Sequence, residues 1–169
     1  MPNSSRKLAA IVFTDIAGFT ELSAHDELKS LKLLENQRRI FQPIVSEFGG
    51  QWLKEMGDGL LLSFESSLNA VRCAVELQMA ARAVEGLALR IGIHQGPLVV
   101  GTFGSELRSD YTAIGPTVNM ASRIEGACPP GEVLISGELC DLLPEDLAED
   151  AGSFQLKGID GERRLYRLV

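Results

Sequence analysis

The chain has 169 residues, 45% apolar and 23% charged, with a net charge of −7 and a pI near 4.9. That length suits one domain with a full core, and the acidic balance argues against sequence-independent DNA or RNA binding, which needs a basic face. Cys73, Cys128 and Cys140 lack metal-type spacing and cannot all pair, which fits a reducing compartment, and the apolar run at 8–13 is far too short for a signal core or a membrane span.

A soluble cytoplasmic segment with no membrane part is therefore expected, with fused sensor or membrane domains left open. Residues 1–7 are polar and read as a flexible segment preceding one domain, 8–169. LAAIVFTD reads as a buried strand, because a short apolar run is stopped there by turn residues. A turn follows, and Ser23 or Asp26 can cap a helix over 26–48, where Leu28, Leu31 and Leu34 recur, then Phe41, Ile44, Val45 and Phe48. Pro43 should kink or divide that helix, and Gly49-Gly50 ends it. QWLKEM and LLLSF read as strands of a hairpin turning at Gly57-Asp58-Gly59.

Ser66 or Ser67 caps a second helix, expected to bury Leu68, Val71, Val75 and Met79. LALRIGIHQG and LVVGTFG read as strands broken at Gly96-Pro97, and the polar loop SELRSD leads to YTAIG. TVNMASRIEGA reads as a helix, EVLISG as a strand, and GELCDLLP as a short helix ended by Pro144. The acidic run 145–150 reads as a solvated loop, and FQLKG and RRLYRLV as a closing pair of strands. Strands alternate with helices, but adjacent pairs look like hairpins. That pattern predicts an α+β fold, a ferredoxin-like β-α-β-β-α-β layer with additional C-terminal strands and a helix, its sheet covered by helices.

In such a layer the end of the first strand and the turn of the hairpin lie side by side, so Asp15 and Asp58 converge. A carboxylate ending a buried strand is costly unless a cation meets it. Two of them suggest a magnesium site, since Mg²⁺ is usually held by one or two carboxylates plus substrate phosphates. A nucleoside triphosphate is then the expected substrate class. The bland reading of each aspartate is a turn cap. The two histidines, His25 and His94, read as structural or exposed groups rather than catalytic ones.

Five segments in one order, FTDIAGFT (13–20), KEMGDG (54–59), LRIGIHQG (89–96), YTAIGPTVNMASR (111–123) and LKG (156–158), resemble the catalytic domain of class III adenylate and guanylate cyclases from about Lys7 onward. The resemblance implies two divalent cations per site, Mg²⁺ or Mn²⁺, held by Asp15, Asp58 and the backbone carbonyl of Ile16. It implies phosphate contacts from the amides of residues 17–20, among them Gly18, Phe19 and Thr20, and from Arg90 and Lys157. Asn119 would orient the ribose, and Arg123 would stabilise charge building on the α-phosphate, a task that suits a planar cationic fork.

Lys54 and Thr112 match the base-reading positions. Lysine has donors only, so it suits adenine N1 and conflicts with guanine N1–H, whereas Thr112 discriminates less. The Lys–Thr pair resembles the class IIIb subset of adenylate cyclases, some of which respond to bicarbonate. The resemblance also implies a head-to-tail homodimer, with Asp15, Asp58 and Arg90 from one copy meeting Lys54, Thr112, Asn119, Arg123 and Lys157 from the other. The reading is thus an adenylate cyclase turning ATP into 3′,5′-cyclic AMP and pyrophosphate. Two alternatives stay open: a guanylate or mixed-specificity cyclase, and a cyclase-like regulatory module that binds nucleotide without turning it over. A template-dependent polymerase or dinucleotide-forming enzyme is disfavoured by the absence of a basic path and of a GGDEF-like signature.

Overall fold

The computed structural model describes residues 4–105 and 108–168, with side chains for 5–102 and 113–168. Its elements run β1 (Ser4–Ile16), α1 (Phe19–His25), α2 (Glu27–Glu47), β2 (Gln51–Met56), β3 (Gly59–Phe64), α3 (Ser67–Arg82), β4 (Leu89–Ser105), β5 (Arg108–Ile114), α4 (Pro116–Gly126), β6 (Val133–Ser136), α5 (Gly137–Cys140), a 3₁₀ turn (Glu145–Leu147), β7 (Ala148–Gln155) and β8 (Glu162–Leu168). One sheet carries them in the order β2-β3-β1-β4-β6-β8-β7, and β5 folds back along β4. Strands β2-β3-β1-β4 form the antiparallel ferredoxin-like core, and the C-terminal strands extend it beyond β4.

Alternation along β1 divides the core. Ala10, Val12 and Ile16 pack with α2 and α3 on one face, whereas Ala9, Ile11 and Phe13 pack with Ala121 of α4 on the other. Asp26 caps α2 by accepting from Lys29 N–H at 3.0 Å, and Ser66 caps α3 by accepting from Asn69 N–H at 3.1 Å.

Several expectations are corrected. Ser4–Lys7 of the segment expected to be flexible belong to β1 and pair with Gly101–Leu98 of β4, because the long β4 offers a partner edge there. Pro43 lies inside α2 without dividing it. α3 buries Ala70, Val71, Cys73, Ala74, Leu77 and Ala81, while Met79 is exposed. Its small residues let the helix lie close to the sheet, and Leu68 and Val75 turn toward a cleft beside Phe48 and Leu168.

Strand β4 runs unbroken through Gly96-Pro97 because β1 pairs along it on both sides of that dipeptide. Thr117 Oγ1 donates to Pro97 O at 2.6 Å, and a Cβ on Gly96 would meet that hydroxyl at 2.7 Å. β5 already begins at Arg108, within the expected loop, because its residues pair with the projecting end of β4. The acidic run 145–150 is a 3₁₀ turn followed by the start of β7, where pairing with β8 sets Asp150 and Glu149 against Arg164 and Arg167.

His94 is structural. Its Nδ1 lies 2.7 Å from Ser136 Oγ, and that oxygen accepts from Leu139 N–H to cap α5, leaving the hydroxyl hydrogen for the neutral ring. Burial pulls His94 below its ordinary 6.5, against the opposing pull of Glu138, and Arg163 adds to the lowering. A base with a depressed folded pKa binds fewer protons folded than unfolded, so its contribution is complete above pH 6.5 and is lost on acidification below it. The melting temperature should therefore fall between pH 7 and about 5.5, before carboxylates titrate, and thermal melts of His94→Gln should show a shallower slope. Equal slopes would dismiss the assignment.

Candidate active site

The end of β1 and the β2–β3 turn meet because backbone and carboxylate bind each other: Ile16 N–H donates to Asp58 Oδ2 at 2.8 Å. Gly57 takes a positive φ of 64°, which permits the tight turn, and a Cβ on Gly59 would lie 3.1 Å from Thr14 O. Behind the turn, Gln37 of α2, buried, reaches the Asp58 carbonyl through Nε2 at 3.4 Å. Asp58 is thereby held at both its backbone and its side chain.

Asp15 stands opposite Arg90 in the β1–β4 register, and Arg90 Nη1 donates to Asp15 Oδ1 at 3.2 Å. Asp15 and Asp58 line a cavity of about 550 Å³ whose other walls include Phe13, Met56, Val118, Asn119, Ser122 and Glu125. Asn119, Ser122 and Glu125 recur at helical spacing, so α4 turns one face into it. Burial, the charge of Asp15 and a hydrogen bond to Asp15 push Glu125 up to about 8, Arg90 pulls the other way, and Asp58 adds to the rise.

The remaining sequence candidates are not among the described residues that line this cavity. Gly18, at a positive φ of 76°, precedes α1, and Phe19 and Thr20 form its first turn. The Ala17 amide, expected among the phosphate contacts, is already engaged by Ala88 O at 2.7 Å because β1 and β4 stay zipped to that point. Lys54 is exposed on the edge strand β2, next to the register shift between Trp52 and Lys54. Lys157 is exposed in the turn after β7. Arg123 is half-buried, and its Nε has no hydrogen-bond partner among the described residues. Thr112 lies on β5 opposite Gly101, and its side chain falls outside the described residues. Sequence reasoning missed Gln37, Ser122 and Glu125; the helical period from Asn119 was the available signal for the last two.

The donor set fits a hard divalent cation. Asp15 and Asp58 bring oxygen ligands, Glu125 adds a third carboxyl to the cavity wall, and Arg90 is bonded to Asp15. Among the described residues no three His, Cys, Asp or Glu side chains form a closed set of ligands.

Known proteins agree with this architecture. The chain is 35% identical over 139 residues to a protein of Rhizobium meliloti named putative adenylate cyclase 3, covering 78% of this chain but 22% of that protein. It is 31% identical over 139 residues to the adenylate cyclase of Anabaena cylindrica, covering 73% of this chain and 28% of that one. The chain thus spans less than a third of these curated relatives. Among solved structures, the adenylyl cyclase CyaB from P. aeruginosa superposes with a TM-score of 0.87 at 32% identity, covering 98% of this chain and 95% of that one. The guanylyl cyclase Cya2 superposes at 0.89 with 29% identity, covering 99% and 94%. The sheet order, the cavity at the end of β1, and a match to the family described as adenylate and guanylate cyclase catalytic domain over residues 1–169 together establish that this chain belongs to that family.

Proposed function

We propose that the chain is an adenylate cyclase that converts ATP to 3′,5′-cyclic AMP and pyrophosphate at composite sites shared by two copies. The observation that carries this reading is the convergence of Asp15 and Asp58, joined through the Ile16 amide, in a cavity that Asn119 also lines, with Arg90 bonded to Asp15. When bound there, two divalent cations would supply acidity to the ribose 3′-hydroxyl and offset phosphate charge.

The chain's own groups do the positioning. Asp15 and Asp58, with the Ile16 carbonyl, are the residues that would hold the cations. The first turn of α1 at Gly18, Phe19 and Thr20, together with Arg90, faces the triphosphate. Arg90 donates to Asp15 through Nη1, and its guanidinium has further N–H donors for phosphate. Asn119 orients the ribose so that its 3′-oxygen is in line with the bond to be broken. The new bond joins O3′ to the α-phosphorus, the bond from that phosphorus to the bridging oxygen breaks, and pyrophosphate leaves with the electron pair. Arg123 and Lys157 of the second copy stabilise the charge that develops on the α-phosphate and the leaving group. No side chain of the cavity is required as base; the 3′-proton passes to water or substrate phosphate.

Lys54 carries the preference for ATP. Its donors match adenine N1 and oppose guanine N1–H, and its exposure on an edge strand leaves it available to a site in the partner. Related domains of both specificities lie at similar identity, 32% for CyaB and 29% for Cya2, so the lysine is the discriminating feature. Among the described residues no helix is long and apolar enough to cross a membrane. A cytoplasmic site of action follows from the ATP substrate and the free thiols. Turnover of ATP and GTP, measured across protein concentrations with Mn²⁺ or Mg²⁺, tests the reading. Cyclic AMP should dominate, and activity per chain should fall on dilution. A product ratio favouring cyclic GMP would overturn the specificity, and constant activity per chain would overturn the shared site.

A further inference from the structure

Glu125 lies in the same cavity as Asp15 and Asp58, yet outside all five segments that carry the family resemblance. Its place depends on a second residue. Arg90 and Gly92 are alternate residues of β4 and therefore share the face that α4 covers. A Cβ on Gly92 would lie 2.2 Å from the Glu125 backbone nitrogen and 2.6 Å from its Cα. Only a residue without a side chain lets this turn of α4 press directly onto β4. That close approach brings Glu125 to the wall of the cavity that Asp15 and Asp58 also line, with Arg90 bonded to Asp15.

Asp15 thus has Arg90 at 3.2 Å and shares the cavity wall with Glu125. A cation that takes Asp15 Oδ1 competes with the Arg90 guanidinium for that oxygen. Glu125, on the wall of the cavity, is a neighbouring carboxyl to which Arg90 can turn. We propose that Glu125 is a positioning residue of the metal-holding group: it orients Asp15 and takes over Arg90 when Asp15 engages a divalent cation. This rests on the reading of Asp15 and Asp58 as metal carboxylates and extends it to a third acid, contributed by α4 of the same chain.

The test is Mn²⁺ binding to the nucleotide-free protein, followed by the loss of the free-ion EPR signal. Glu125→Gln should weaken Mn²⁺ affinity roughly tenfold, the scale of outer-shell partners of metal ligands. Glu125→Asp, which keeps the carboxyl group with a shorter reach, should give an intermediate loss. Asp58→Asn is measured beside them. If Asp58→Asn loses affinity while Glu125→Gln binds like wild type, the role of Glu125 is overturned and the metal reading stands. If Asp58→Asn itself binds like wild type, the metal reading fails and the inference falls with it. Thermal melts confirm that the variants are folded; should Glu125→Gln be unfolded, wild-type affinity in Glu125→Asp overturns the proposal instead.

Discussion

Asparagine in place of Asp58 should lower turnover by roughly a thousandfold or more, the scale seen when a charge central to transition-state stabilisation is removed. The substitution is chosen for its local chemistry. The Asp58 carboxylate accepts from Ile16 N–H at 2.8 Å, and the asparagine oxygen can keep that bond while losing the charge. Alanine would also leave the Ile16 amide without its partner, at a cost of about 1–3 kcal/mol if it stays buried, so lost activity and lost stability would be confounded. Gln37 still holds the backbone carbonyl of residue 58 from behind. Melting temperature within a few degrees of wild type, together with near-complete loss of cyclic AMP detected by mass spectrometry, is the expected result. Undiminished turnover by folded Asp58→Asn would refute the assignment of the site.

Alanine at Arg123 should cost about a hundred- to a thousandfold, because a preorganised cation aimed at developing phosphate charge acts mainly in the transition state. Arg123 does not line its own chain's cavity, although Asn119, one helical turn earlier, does. Its guanidinium is half-buried with Nε unpartnered among the described residues. A site completed by a second copy gives the pair of variants a distinctive behaviour. Co-expressed Asp58→Asn and Arg123→Ala chains should recover activity that neither has alone. Each mixed dimer then holds one site with both groups intact and one with neither. With random pairing, about a quarter of all sites are functional. No recovery from purified mixed dimers would mean that one chain supplies both groups to its own site.

The α+β layer was legible because its local signals agree with one another, and the family only through five segments that resemble it. A β-branched apolar run ends at Asp15, a glycine turn surrounds Asp58, and serine or aspartate caps precede both long helices, so propensity, pattern and turn chemistry point the same way. Where neighbours compete for a segment, the local signal misled. The polar start of the chain became strand because β4 extends far enough to pair with it. The Gly96-Pro97 pair did not break β4, since β1 pairs along it on both sides. The buried face of α3 follows alanines rather than the larger Leu68 and Met79, because close packing on a sheet rewards small side chains.

The same division runs through the site. The sequence by itself determined the chemical inventory: two acids at turns, an arginine in a strand, a lysine suited to adenine, and Asn119 and Arg123 on one helix. These are readable because strand and helix periods and hydrogen-bonding types are properties of short segments. Only the tertiary structure decided that Arg90 bonds Asp15, that the Ile16 amide holds Asp58, that the Ala17 amide is already occupied, and that Glu125 enters the cavity. Each of these depends on contacts between residues far apart in the chain. The last depends on helix α4 touching bare backbone at Gly92, a distance set by packing and not by any period in the sequence.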